Sequence, residues 1–193
     1  ALKILTYLGV VESRAAKGTF VRDASFVYED AISWAFLLGT KDYNMLIDYR
    51  EAIEAHSIRH MAASYSEDPS EIEPTLEKML TICEEMDEYM SQYEYSKLTR
   101  LDYEFHGSII EGSGNPHFIN IFKLLFSFLK TEIREVNKKR ILHGDLSYVS
   151  QEHSDFVEGI RTGDPLKAQQ IVYDHLKMVR SWFDGKSIDQ NVI

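Results

Sequence analysis

The sequence predicts an all-α protein, an antiparallel bundle of about seven helices preceded by a short β-hairpin, and three observations predict it. Apolar residues recur with the helical period almost everywhere after Asp23. The breaks between these periodic stretches are short and share one grammar. Gly163-Asp164-Pro165 and Gly114-Asn115-Pro116 each supply a helix stop, an N-cap and a proline for the first helical position. Before Asp23 the pattern differs, with two β-prone runs around a small-residue turn.

Taken in order, residues 1–8 read as the end of a helix, with Gly9 as its left-handed stop. Val10-Val11-Glu12-Ser13-Arg14 and Thr19-Phe20-Val21-Arg22 flank Ala15-Ala16-Lys17-Gly18 and read as a hairpin. Helices are expected near 25–39, 42–65, 69–95, 97–112, 116–141, 146–162 and 165–185. Asp68-Pro69 with Glu71 resembles a capping box, and Pro74 lies close enough to that helix start to be tolerated. Short connections between helices favour antiparallel neighbours. The chain begins at Ala1 inside a helical pattern, so a shortened N-terminus is expected.

Composition narrows the function classes. Hydrophobic residues make up 44% of the 193, enough for a core, and no apolar run is long enough to cross a bilayer, so a cytoplasmic protein is expected. The single cysteine, Cys83, forms no internal disulfide and reads as a small packing residue rather than a nucleophile. A net charge of −10 argues against nucleic-acid contact by the bulk of the chain. Residues 1–22 are the exception, with Lys3, Arg14, Lys17 and Arg22 against Glu12 alone. The acidic run from Glu67 to Glu88 reads as a solvated helix face.

The informative residues are polar ones on apolar faces, found by placing residues about 100° apart around each helix. Leu98, Leu101, Phe105 and Ile109 define a buried stripe, and Asp102 and His106 fall inside or beside it. His153 is central to the stripe of Val149, Phe156, Val157 and Ile160. His175 lies amid Ala168, Ile171, Val172, Met178, Val179 and Trp182. Arg50 and Glu54 fall between Leu46, Ile47, Ile58 and Met61. Burying such groups is costly unless they are paired or coordinated, and several of them pointing inward from different helices imply one polar cavity. A carboxylate and three imidazoles suit zinc, nickel, manganese or iron, and sequence does not choose among them. Simpler readings stay open here: hydrogen-bonded core histidines, and an ordinary i,i+4 ion pair of Arg50 with Glu54. His56 and His60 flank their stripe and read as surface residues, and His117 and His143 have no evident partner.

The same residues carry a resemblance. Ala1-Leu-Lys-Ile-Leu-Thr-Tyr-Leu-Gly-Val-Val-Glu-Ser-Arg14, running on to Lys17-Gly18-Thr19-Phe20-Val21, resembles the end of a GntR-type winged helix. Tyr49-Arg50-Glu51-Ala52-Ile53-Glu54, Met61-Ala62-Ala63, Asp102-Tyr-Glu-Phe-His106, Ser113-Gly-Asn-Pro116, the stretch EHSDFVEGI around His153, Gly163-Asp164, Ala168 and His175 resemble the ligand-sensing FCD domain of the FadR subfamily. The resemblance implies that residues 1–23 are the C-terminal remnant of a DNA-binding domain and 24–193 an effector-binding and dimerisation domain.

It further implies a metabolite-responsive transcriptional regulator, a cytoplasmic homodimer that binds operator DNA when intact and takes a small organic acid as effector. By position, Asp102, His106, His153 and His175 are the expected ligands of a divalent transition metal, with zinc the expected ion as found. Arg50, with Glu54, is expected to meet the effector, and Arg14, Lys17, Gly18 and Thr19 to face DNA as wing residues. One departure is that Ala16 stands where the wing pattern has glycine. The competing classes are a metal-dependent helical enzyme, which lacks the paired Glu-x-x-His motifs such bundles use, and a sensing domain whose cavity holds no metal.

Overall fold

The computed structural model describes residues 2–7, 10–22, 43–143 and 146–183. They fall into two units, Ala1–Asp42 and Tyr43–Ile193. The expected helix near 25–39 and the stop at Gly9 lie outside the described residues.

In the first unit, α1 (Leu2–Tyr7) precedes an antiparallel hairpin of β1 (Val11–Arg14) and β2 (Gly18–Val21). The register pairs Val11 with Val21, Glu12 with Phe20, Ser13 with Thr19 and Arg14 with Gly18. Ala16 takes a positive φ of 59° at the turn, so alanine occupies a left-handed position where glycine is cheaper. The Lys17 N–H donates to the Arg14 carbonyl at 3.0 Å and closes the turn.

The second unit contains α2 (Tyr43–Glu67), α3 (Pro69–Ser91), α4 (Tyr95–Glu111), α5 (Pro116–Leu142), α6 (Leu146–Arg161) and α7 (Pro165–Phe183). The predicted caps form. Asn115 Oδ1 accepts from the His117 N–H at 3.0 Å, and Asp164 Oδ1 from the Leu166 N–H at 3.0 Å. At Asp68 the carboxylate accepts from both the N–H and the hydroxyl of Ser70, at 2.9 and 2.7 Å. That is a one-sided cap rather than the reciprocal box expected with Glu71, among the described residues. The third helix ends at Ser91 rather than near 95, because Tyr93 turns the chain with a left-handed φ of 58°.

Packing follows the stripes. α2 lies chiefly against α7, α3 against α6, and α4 against α5. Phe105, Phe156, Ile47, Ile58, Met61 and Leu101 are among the largest fully buried side chains. Of the stripe on α7, Ile171, Met178 and Trp182 are only half-buried, and Leu176, which the stripe omitted, is fully buried. Cys83 is buried, and burial pushes its thiol up to about 12, which leaves it unreactive as a nucleophile near neutral pH. Among the described residues no helix is long and apolar enough to cross a membrane.

Candidate metal and effector site

Each predicted inward polar residue of the bundle is buried. Arg50 and Glu54 come from α2, Asp102 and His106 from α4, His153 from α6 and His175 from α7. All four helices present them for the same reason: each residue sits in phase with its helix's apolar stripe, so burying the stripe buries the polar group with it.

The three imidazoles form a compact triad. Ring centroids lie 5.3 Å apart for His106 and His153, 5.1 Å for His106 and His175, and 5.3 Å for His153 and His175. One ring nitrogen from each lies within 4.8 Å of the others. Phe105 and Phe156 wall the triad with edge-on contacts, Phe105 at 4.7 Å from His153 and Phe156 at 5.2 Å from His175. Asp102 Oδ1 stands 3.8 Å from His106 Nε2 and 3.6 Å from His153 Nε2.

Hydrogen bonding decides which nitrogen is free. The Nδ1–H of His153 donates to the Val149 carbonyl at 2.6 Å. A carbonyl only accepts, so that nitrogen carries the proton, and in the Nδ1–H tautomer Nε2 keeps its lone pair. His106 Nδ1 lies 2.8 Å from Glu54 Oε2; with Glu54 ionised against Arg50, Nδ1–H donates and Nε2 is left bare. Burial, followed by the nearby Arg50 charge, lowers His106 well below the ordinary histidine value, so the ring is neutral near neutral pH. Burial lowers His175 as well. Burial alone would raise Asp102, but charge opposite to its own nearby, the Arg50 guanidinium included, outweighs it and holds the carboxyl well below the usual carboxylate range.

A buried carboxylate therefore faces imidazole lone pairs. The Nε2 atoms of His106, His153 and His175, with Asp102 Oδ2, have no hydrogen-bond partner. Orphaned buried acceptors are costly, and a cation held between the three rings would satisfy one nitrogen of each. Nitrogen and oxygen donors of this kind fit a divalent transition metal.

Glu54 is spoken for on both sides. Arg50 Nε donates to one oxygen and His106 to the other. Arg50 retains one buried, unpartnered Nη2. Arg50, Asp102, His153 and His175 line a cavity of ≈ 20 Å³ together with Asn137 and Arg140 of α5. Asn137 also lines the neighbouring cavity beside Met86 and Met90.

Three residues of this region escaped the sequence reading. Asn137 is one. Arg140, only 3% exposed, is the second, and it hides in the charged run Lys138-Lys139-Arg140. Its signal was available, since Leu129, Ile133, Val136 and Arg140 follow the helical period. Glu152 is the third; both its oxygens accept from Arg140, at 3.0 and 2.8 Å. His56, His60 and His117 are exposed and take no part. His143 is exposed as well and has a ring contact with Trp182 at 5.8 Å. Arg14, Lys17, Gly18 and Thr19, expected to be wing residues, are exposed on the hairpin; Arg14 pairs with Glu12 and lies over the Phe20 ring.

Comparison with known proteins places this arrangement in a family. Residues 45–178 match the FCD domain, and the chain belongs to the FCD domain family. It is 37% identical over 81 residues to the HTH-type transcriptional repressor NanR of Salmonella schwarzengrund, a match covering 42% of this chain and 30% of that protein. The chain thus spans less than a third of the length of that curated relative. Two solved structures share the fold. One is Lar, described as controlling expression of the Listeria monocytogenes agr system and mediating virulence, with a TM-score of 0.60 at 16% identity, covering 96% of this chain and 78% of that one. The other is a Streptococcus agalactiae GntR protein, with a TM-score of 0.55 at 20% identity, covering 93% and 78%. These likenesses agree with the GntR-type, FCD-containing resemblance read from the sequence.

Proposed function

We propose that the chain is the sensing part of a metabolite-responsive, DNA-binding transcriptional regulator, whose helical unit holds a divalent transition metal and a small carboxylate. The observation that carries this reading is the convergence of one buried ring nitrogen from each of His106, His153 and His175, with the Asp102 carboxylate beside the first two. His106, His153 and His175 would hold the ion with Asp102. A bound divalent ion would supply a Lewis-acidic anchor for an anionic ligand. Zinc, nickel, manganese and iron all fit the donor set.

The chain's own residues do the rest. Arg50 offers its free Nη2 to the effector's negative charge, while Glu54 keeps Arg50 and His106 oriented. Phe105 and Phe156 keep the triad dry. The cavity of ≈ 20 Å³ has room for little more than one water, so admitting an organic acid requires the helices around α5 to part. That requirement links occupancy to helix arrangement, and a ligand shifts such an equilibrium only by its differential affinity for the two forms.

The intact protein would act in the cytoplasm as a homodimer, with Arg14, Lys17, Gly18 and Thr19 of each wing near operator DNA. An enzymatic role is not part of this reading. The test uses the full-length protein and its operator, with metal present. Affinity for the operator falls with salt and changes several-fold with at least one small carboxylate from a panel of hydroxy, keto and sugar acids. A dimer whose operator affinity ignores every acid in the panel contradicts the proposal.

A further inference from the structure

The three imidazoles are not held alike. His106 is fixed by Glu54 at 2.8 Å and His153 by the Val149 carbonyl at 2.6 Å. His175 has no such bond: both its ring nitrogens are buried and without a partner. Glu152 faces it, with Oε2 3.6 Å from His175 Nδ1. Glu152 is not free to wander, because Arg140 grips both of its oxygens, at 3.0 and 2.8 Å.

The order of groups repeats. Arg50 of α2 holds Glu54, which meets His106 of α4. Likewise, Arg140 of α5 holds Glu152 of α6, which faces His175 of α7. An arginine is an expensive group to bury, and Arg140 is 3% exposed. A bidentate hold on a carboxylate is what justifies it energetically, and such a hold fixes the direction in which the carboxylate points. Here it points to the one unanchored ring.

We propose that Arg140 and Glu152 are positioning residues for His175, setting its Nδ1–H toward Glu152 so that Nε2 faces His106 and His153. This rests on the metal reading above. A cation held at Nε2 would make Nδ1–H a stronger donor toward Glu152, now 3.6 Å away. Partners of this kind orient a ligating histidine and raise its basicity, and losing one costs roughly 10–100-fold in metal affinity.

The experiment compares the full chain with Glu152→Gln, Glu152→Asp and Glu158→Gln, an exposed control on the same helix. Zinc affinity is measured by chelator competition and the visible spectrum is recorded with cobalt. The expected result for Glu152→Gln is a roughly 10–100-fold loss of zinc affinity at unchanged stoichiometry, with an altered cobalt spectrum. Glu152→Asp restores part of the affinity, and Glu158→Gln behaves as wild type. Unchanged affinity and spectrum in Glu152→Gln overturn the proposal while leaving the metal site standing. A wild-type chain that takes up no zinc or cobalt overturns both. Should Glu152→Gln fail to fold, nitrogen NMR of the zinc-loaded wild type decides. His175 protonated at Nδ1 and bound through Nε2 supports the pair, and the reverse assignment overturns it.

Discussion

Arg50–Glu54 on α2 and Arg100–Glu104 on α4 are the same motif by sequence, an arginine four residues before a glutamate. In the first pair the side chains are 4% and 0% exposed; in the second they are 56% and 38% exposed. The exposed pair is a closed matter between two residues in water. The buried pair cannot be, because each group's remaining polar atoms also need partners. Glu54 therefore reaches on to His106, and Arg50 keeps one Nη2 for the cavity. Asp102 and His106 differ from His56 and His60 in the same way, at the same spacing. Spacing sets who can meet, and burial decides whether meeting has consequences.

The comparison can be broken by removing one partner at a time. The largest effect is expected at Arg50→Met, which leaves Glu54 as an uncompensated buried carboxylate and costs about 3–5 kcal/mol in chemical denaturation. His106→Ala comes next, because it strands Glu54 Oε2 without its donor, at about 1–3 kcal/mol before any cavity cost. Arg100→Met, at the exposed twin, changes stability by only about 0.3–0.5 kcal/mol, and less in high salt. Equal costs for the buried and exposed arginines would show that burial does not separate the two pairs.

Much of this was legible beforehand, for identifiable reasons. Asn115-Pro116 and Asp164-Pro165 set helix starts because a side-chain acceptor and a missing N–H act within one turn. Asp102, His106, His153 and His175 stood out because each interrupts an apolar stripe whose phase needs no tertiary knowledge. The overrun past Ser91 came from Tyr93, which turns left-handed without the glycine that would announce it. The partners of the triad were out of reach for another reason. That Glu54 joins His106 across 52 residues, or that Glu152 faces α7 while its neighbour His153 faces the centre, depends on how helices assemble. Arg140 was readable in principle, but a single in-phase arginine inside a charged run looks like solvent-facing surface.

The most direct test of the central claim is the metal content of the chain, by elemental analysis of protein purified without chelators or a histidine tag, beside His175→Ala and His60→Ala. The account predicts about one transition-metal ion per chain, retained in His60→Ala and lost in His175→Ala. A wild-type chain that stays metal-free after reconstitution with zinc, nickel and manganese would contradict it.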